Sequence, residues 1–154
     1  LQPRHRLDAW LRLLALSAAG AGQPHAIVVG KNRSVALSAP PPGQAHGLLG
    51  RYLALYRLGL SHPLPAPPRA GERLAGLRRR GFDARSCDEI AGAVKKYWEW
   101  DSDDHWRAFF QFPALLAIPA SSVELPAPDT GESGLFAALA RVIWEPLLEW
   151  EEAR

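Results

Sequence analysis

The chain has no methionine and only one cysteine, Cys87, among its 154 residues. A lone cysteine excludes an internal disulfide and a cysteine-based zinc cluster, and it fits a reducing compartment. The missing methionine, absent even from position 1, suggests a processed chain or a domain excised from a longer one, and the second reading is preferred. By length, 1–154 reads as a single domain. Long apolar runs are also wanting: the best, Leu7–Ala19, is interrupted by Asp8 and Arg12 and is too short to cross a bilayer. No cleavage site follows it as in a signal peptide, so no membrane association and a cytoplasmic location are expected.

The most informative absence is of acids. No Asp or Glu occurs between Asp8 and Glu72, a stretch that carries Arg12, Lys31, Arg33, Arg51, Arg57 and Arg69. Residues 72–154 reverse this, with fifteen acids against ten bases. The net charge of +2 therefore conceals a basic half and an acidic half, and any nucleic-acid surface should be one-sided. The abundance of Arg, Ala, Gly and Pro is equally what a GC-rich genome produces, without selection for DNA.

What is present is a core. Hydrophobic residues make up 47% of the chain and include 6 Trp, which excludes global disorder. His25-Ala-Ile-Val-Val29 is a β-branched run, Gly30-Lys-Asn-Arg33 is turn chemistry, and Ser34-Val-Ala-Leu-Ser38 runs back, which predicts a β-hairpin. Ala39-Pro-Pro-Pro-Gly43 permits neither ladder nor helix. A helix follows with Leu48, Leu49, Tyr52, Leu53, Tyr56 and Leu60 on one face, stopped near Gly59 and Pro63. Tyr52 and Tyr56 are expected near the hairpin sheet.

A hairpin followed by a helix is also the core of nucleases that cut DNA with a carboxylate-bound magnesium. Such sites need an acid on the first strand and an acid-x-Lys on the second, because several oxygens hold the ion and the lysine orients the water. Here Ser38 and Pro40 stand where the acid and the lysine are required, and the first strand offers only Ala26, Ile27, Val28 and Val29. No catalytic residue, metal ligand or cofactor is expected of this hairpin.

Arg51-Tyr-Leu-Ala-Leu-Tyr-Arg-Leu-Gly-Leu-Ser-His-Pro-Leu-Pro65 resembles the C-terminal region of the RecC (gamma) subunit family of exodeoxyribonuclease V, the RecBCD helicase–nuclease. Leu7-Asp-Ala-Trp-Leu11, Asp103-Asp-His-Trp-Arg-Ala-Phe-Phe110 and Leu135-Phe-Ala-Ala-Leu-Ala-Arg-Val-Ile-Trp-Glu-Pro-Leu148 fit the same family. The resemblance implies a degenerate restriction-endonuclease-like (PD-(D/E)XK) domain of mixed α/β class (α+β), with a small sheet flanked by helices. It implies a catalytically inactive C-terminal fragment of a larger subunit. Its partners would be the nuclease-helicase (beta) and second helicase (alpha) subunits, and DNA weakly within the complex. The family domain is longer than this chain. Candidate DNA contacts are Lys31, Arg33, Arg51, Arg57, Arg78, Arg79 and Arg80.

Elsewhere, apolar periodicity at Leu7, Trp10, Leu11 and Leu14 predicts a helix from His5 to about Ala19. Ala70–Arg80 reads as a short helix stopped by Gly81. Ser86-Cys-Asp-Glu89 is a capping box opening a helix to about Trp100. Asp101, Asp103, Asp104 and His105 invite a metal reading, but their spacing lacks the glycine and closing Glu of a calcium loop. Asp101 or Ser102 is better read as the N-cap of a helix from Asp103 to Gln111, and the tryptophans as core before base-stacking platform. An edge strand is expected at Ser121–Leu125, and a final helix from Gly134 to Glu152, kinked by Pro146. Two other functions stay open: a live metal-dependent nuclease using the later acids, and a helical protein-interaction module without DNA.

Overall fold

In the computed structural model, residues 1–84, 86–101, 104–127 and 129–153 are described, with the backbone alone at 104, 105 and 153. Pro3 opens helix α1 (Pro3–Ala18), a position where its missing N–H is harmless. The buried stripe of α1 is Pro3, Arg6, Trp10, Leu13, Leu14 and Ser17. It is rotated from the apolar stripe because two polar residues on it have partners. Ser17 Oγ donates to the Pro40 carbonyl at 2.6 Å, and Arg6 Nε donates to Glu151 at 2.7 Å.

The hairpin forms as its chemistry dictates. Strands β1 (His25–Val29) and β2 (Ser34–Ser38) are antiparallel, with Ile27 opposite Ala36, Val28 opposite Val35 and Val29 opposite Ser34. The Gly30 N–H closes the turn onto the Arg33 carbonyl at 2.9 Å. A third strand, β3 (Glu151–Ala153), adds to the other side of β2, giving the order β1-β2-β3. The final helix was expected to reach Glu152. It ends instead at Glu149 as the last helix of the chain, and the three residues beyond it join the sheet. Being central, β2 buries Val35, Ala36 and Leu37 on both faces, whereas β1 leaves Ile27 58% and Val29 76% exposed.

Helix α2 (Pro42–Ser61) buries Ala45, Leu48 and Leu55. The apolar face expected on it is largely outside: Leu53, Tyr56 and Leu60 are exposed, so Tyr56 does not pack on the sheet as expected. Tyr52 does turn inward and accepts a hydrogen bond from Trp10 Nε1 at 3.2 Å.

Helix α3 (Pro68–Arg78) ends as Gly81 takes φ +86°. The Gly81 and Phe82 amides close back on the Arg78 and Leu77 carbonyls at 3.0 and 3.1 Å, the bonding of a Schellman stop. Helix α4 (Cys87–Asp101) opens on the expected capping box: the Glu89 N–H reaches Ser86 Oγ at 3.3 Å and the two side chains meet at 2.6 Å. Helix α5 (Asp104–Phe109) is shorter than the Asp103–Gln111 helix expected; of its two expected caps Ser102 lies outside the described residues, as does Asp103, and Asp101 binds the Arg69 and Ala70 amides instead. The strand expected at Ser121–Leu125 is not formed. Ala120–Ser122 is a 3-10 turn between prolines, with a one-residue bridge from Pro119 to Gly134. Helix α6 (Leu135–Glu149) runs through Pro146.

Chain contacts group these elements into two compact units, Leu1–Arg57 with Pro146–Arg154, and Leu58–Glu145. The first holds the sheet and α1. The second is built round Leu74, Ile90, Val94, Trp98, Leu115 and Phe136, where Trp98 meets Trp106 and Phe112. Within it, α3 and α6 approach so closely that a Cβ on Gly71 would lie 3.0 Å from Trp144 Nε1. The architecture is α+β, with six α-helices and a three-stranded antiparallel sheet among the described residues.

Candidate nucleic-acid interface

The hairpin is the place to look for nuclease chemistry. Ser38 is the last residue of β2, and its hydroxyl lies 3.0 Å from His25 Nδ1. Pro40 is buried, and its carbonyl is held by Ser17. The sheet does contain carboxylates that sequence reading missed, since β3 sets Glu151 opposite Leu37 and Glu152 opposite Ala36. Glu151 is not open to a cation, because its carboxylate takes both Nε and Nη2 of Arg6, whose side chain is 2% exposed. The Arg6 guanidinium thus occupies the Glu151 carboxylate. Among the described residues no three His, Cys, Asp or Glu side chains are grouped to hold a metal.

The candidate DNA contacts are dispersed. Lys31 and Arg33 sit exposed in the hairpin turn. Arg51 and Arg57 are exposed on α2 but lie six positions apart, about 120° round the helix axis, so they make no continuous row. Arg78 is committed internally: it donates to the Phe82 carbonyl at 2.8 Å and to Glu132 at 2.9 Å, with side chains 7% and 3% exposed. Arg79 and Arg80 remain on the surface.

A tighter group of cations lies on α3 and α4, and sequence reading did not assemble it. The Arg69 guanidinium stands 5.9 Å and the Lys96 ammonium 5.0 Å from the Trp100 ring centre. Arg73 lies 5.3 Å over Tyr97, whose ring meets Trp100 edge-on at 5.4 Å. The signal was present as two i,i+4 pairs, Arg69 with Arg73 and Lys96 with Trp100, but nothing in the sequence joins the two helices. Asp101 anchors the group. Its carboxylate accepts the Arg69 and Ala70 amides at 2.6 and 3.0 Å, capping α3 rather than the following helix. Burial raises the Asp101 pKa, and those two amides and the Arg69 charge oppose the rise. In the sheet-bearing unit, burial pushes the Tyr52 hydroxyl up to about 12, against the Trp10 hydrogen bond and the Arg51 charge.

The elements from α1 through α3 decide the family. The model of the RecC C-terminal domain matches residues 1–78, the hairpin and α2 included. The chain belongs to the RecC C-terminal domain family. It is similar to the RecBCD enzyme subunit RecC of two strains of Mycobacterium tuberculosis, CDC 1551 / Oshkosh and ATCC 25618 / H37Rv, at 32% identity in each case. Those alignments cover 98% of this chain but 14% of each relative, so the RecC domain described here spans about one-seventh of their length. No solved structure matches it. No helix among the described residues is long and apolar enough to cross a membrane.

Proposed function

We propose that this RecC-family domain is a non-catalytic, nuclease-derived scaffold in a RecBCD-type complex, working in the cytoplasm on double-strand-break repair and recombination. Its fold descends from a PD-(D/E)XK nuclease. It contacts the nuclease-helicase (beta) and second helicase (alpha) subunits and helps to shape the path of unwound DNA, which it touches weakly. The observation that carries this reading is the hairpin itself, within the family-matched segment. Ser38 and Pro40 replace the acid and lysine, and of the two acids that β3 brings to the sheet Glu151 is neutralised by Arg6. A site that needs several free oxygens for a hard ion is left there with the exposed carboxylate of Glu152, which is too few.

The test is capture of the partner subunits by the tagged 154-residue domain. Retention of either partner from a mixture of the purified subunits is expected. Retention of neither, by a domain with a cooperative unfolding transition, overturns the scaffold reading and favours a module acting outside the complex.

A further inference from the structure

We infer that the basic and aromatic face of α3 and α4, centred on Trp100, is a contact site for single-stranded nucleic acid. This deepens the proposed role by naming the form of the strand and the residues that meet it, and it rests on that role only for the presence of DNA nearby.

Helix α4 turns Ile90, Val94 and Trp98 into the core of the second unit. On its outer side Trp100 is 54% exposed, a large ring that the core does not use. Three cations surround Trp100 and the partly buried Tyr97 beside it. Arg69 shares its charge with Asp101 at 3.6 Å, whereas among the described residues Arg73 and Lys96 face rings rather than carboxylates. Arg73 Nε also has no hydrogen-bond partner among them.

Cation–π contacts at exposed positions are weak. A base stacking on Trp100 can therefore displace the Lys96 ammonium, which is left within reach of the adjoining phosphate. Arg73, one helical turn from Arg69, offers the next phosphate a guanidinium. Aromatic rings interleaved with cations along a short track are what a single strand requires, because its bases present free π-faces. Duplex DNA keeps those faces stacked and offers only its phosphates. An acidic peptide would use the cations and leave the ring idle, so the exposure of Trp100 favours the nucleic acid.

The experiment is fluorescence anisotropy of a labelled oligothymidylate of about 15 nucleotides, within the usual site sizes, titrated with the whole 154-residue chain at low and at physiological salt. Binding at low salt is expected, with a log–log salt slope near −2, about −0.7 for each of three phosphates. Trp100→Ala should weaken it at least about fivefold, the low end for loss of one stacked base, and Trp100→Phe should restore most of it. Arg73→Gln with Lys96→Gln keeps the ring and should flatten the slope by about 1.4. Absence of binding by the wild type at low salt overturns the inference. So does unchanged affinity in Trp100→Ala, or polyglutamate that competes while the ring variants bind oligothymidylate as wild type does. Each of these results leaves subunit capture to be decided by its own assay.

Discussion

At the scale of single residues, three positions inside the protein make the account testable. The Tyr52 hydroxyl is held neutral by burial, with its pKa at about 12 against the ordinary 10.0. The folded form thus favours the protonated phenol. Its contribution is complete below about pH 10 and is lost as the pH rises through about 12, worth about 2–3 kcal/mol for a shift of that size. Tyr52→Phe should remove this part of the alkaline loss of stability, measured by denaturant unfolding of both proteins between those limits. An identical fall in the two would place Tyr52 in water. Asp101 works through two amides of a neighbouring helix. Asp101→Ala should cost about 1–2 kcal/mol, as for loss of a helix cap, whereas Asp101→Asn keeps an acceptor and should cost less. Gly71 is required for room: Gly71→Val drives a branched side chain against the buried Trp144 and should destabilise by about 1–3 kcal/mol.

At the scale of elements, the hairpin was legible because every local preference agreed: β-branched strands, a Gly-Lys-Asn turn and prolines after the second strand. The stop of α3 at Gly81 and the capping box at Ser86 were legible for the same reason. What failed depended on distant partners. Glu151, Glu152 and Ala153 favour helix by propensity, and they become strand only because the edge of β2 accepts them. Arg6 lay outside the expected apolar stripe of α1 because its partner is 145 residues away. The exposed Leu53, Tyr56 and Leu60 were assigned inward because periodicity locates an apolar stripe but not what covers it. The cation group at Trp100 needed two helices to exist. The Arg6–Glu151 pair gives this scale its prediction. Arg6→Met strands a part-buried carboxylate and should cost at most about 3 kcal/mol, the low end for a broken buried pair, and adding Glu151→Leu should recover most of that loss. Equal stability of the single and double variants would mean that the pair does not tie β3 to α1.

At the scale of the whole molecule, the uneven charge limits how DNA would be held under the proposed function. Cations spread over two compact units neutralise few phosphates at once, so affinity at physiological salt should be no tighter than about micromolar. Anisotropy with duplex and single strands checks this, and nanomolar binding to either would contradict it. The family match, the scattered bases and the Arg6-bound Glu151 are what the proposed function draws together, that of a nuclease framework kept for its shape and contacts. The measurement that tests it most directly is cleavage of linear duplex and single-stranded DNA with magnesium or manganese, by the wild type and by Ser38→Asp. The variant adds one carboxylate to a hairpin that still lacks a first-strand acid and has Pro40 in place of a lysine, too few oxygens for a hard divalent ion. The account predicts that neither protein cuts. Metal-dependent cleavage by either would show that the nuclease chemistry survives, from this hairpin or from the acids beyond Glu72, and would contradict the central claim.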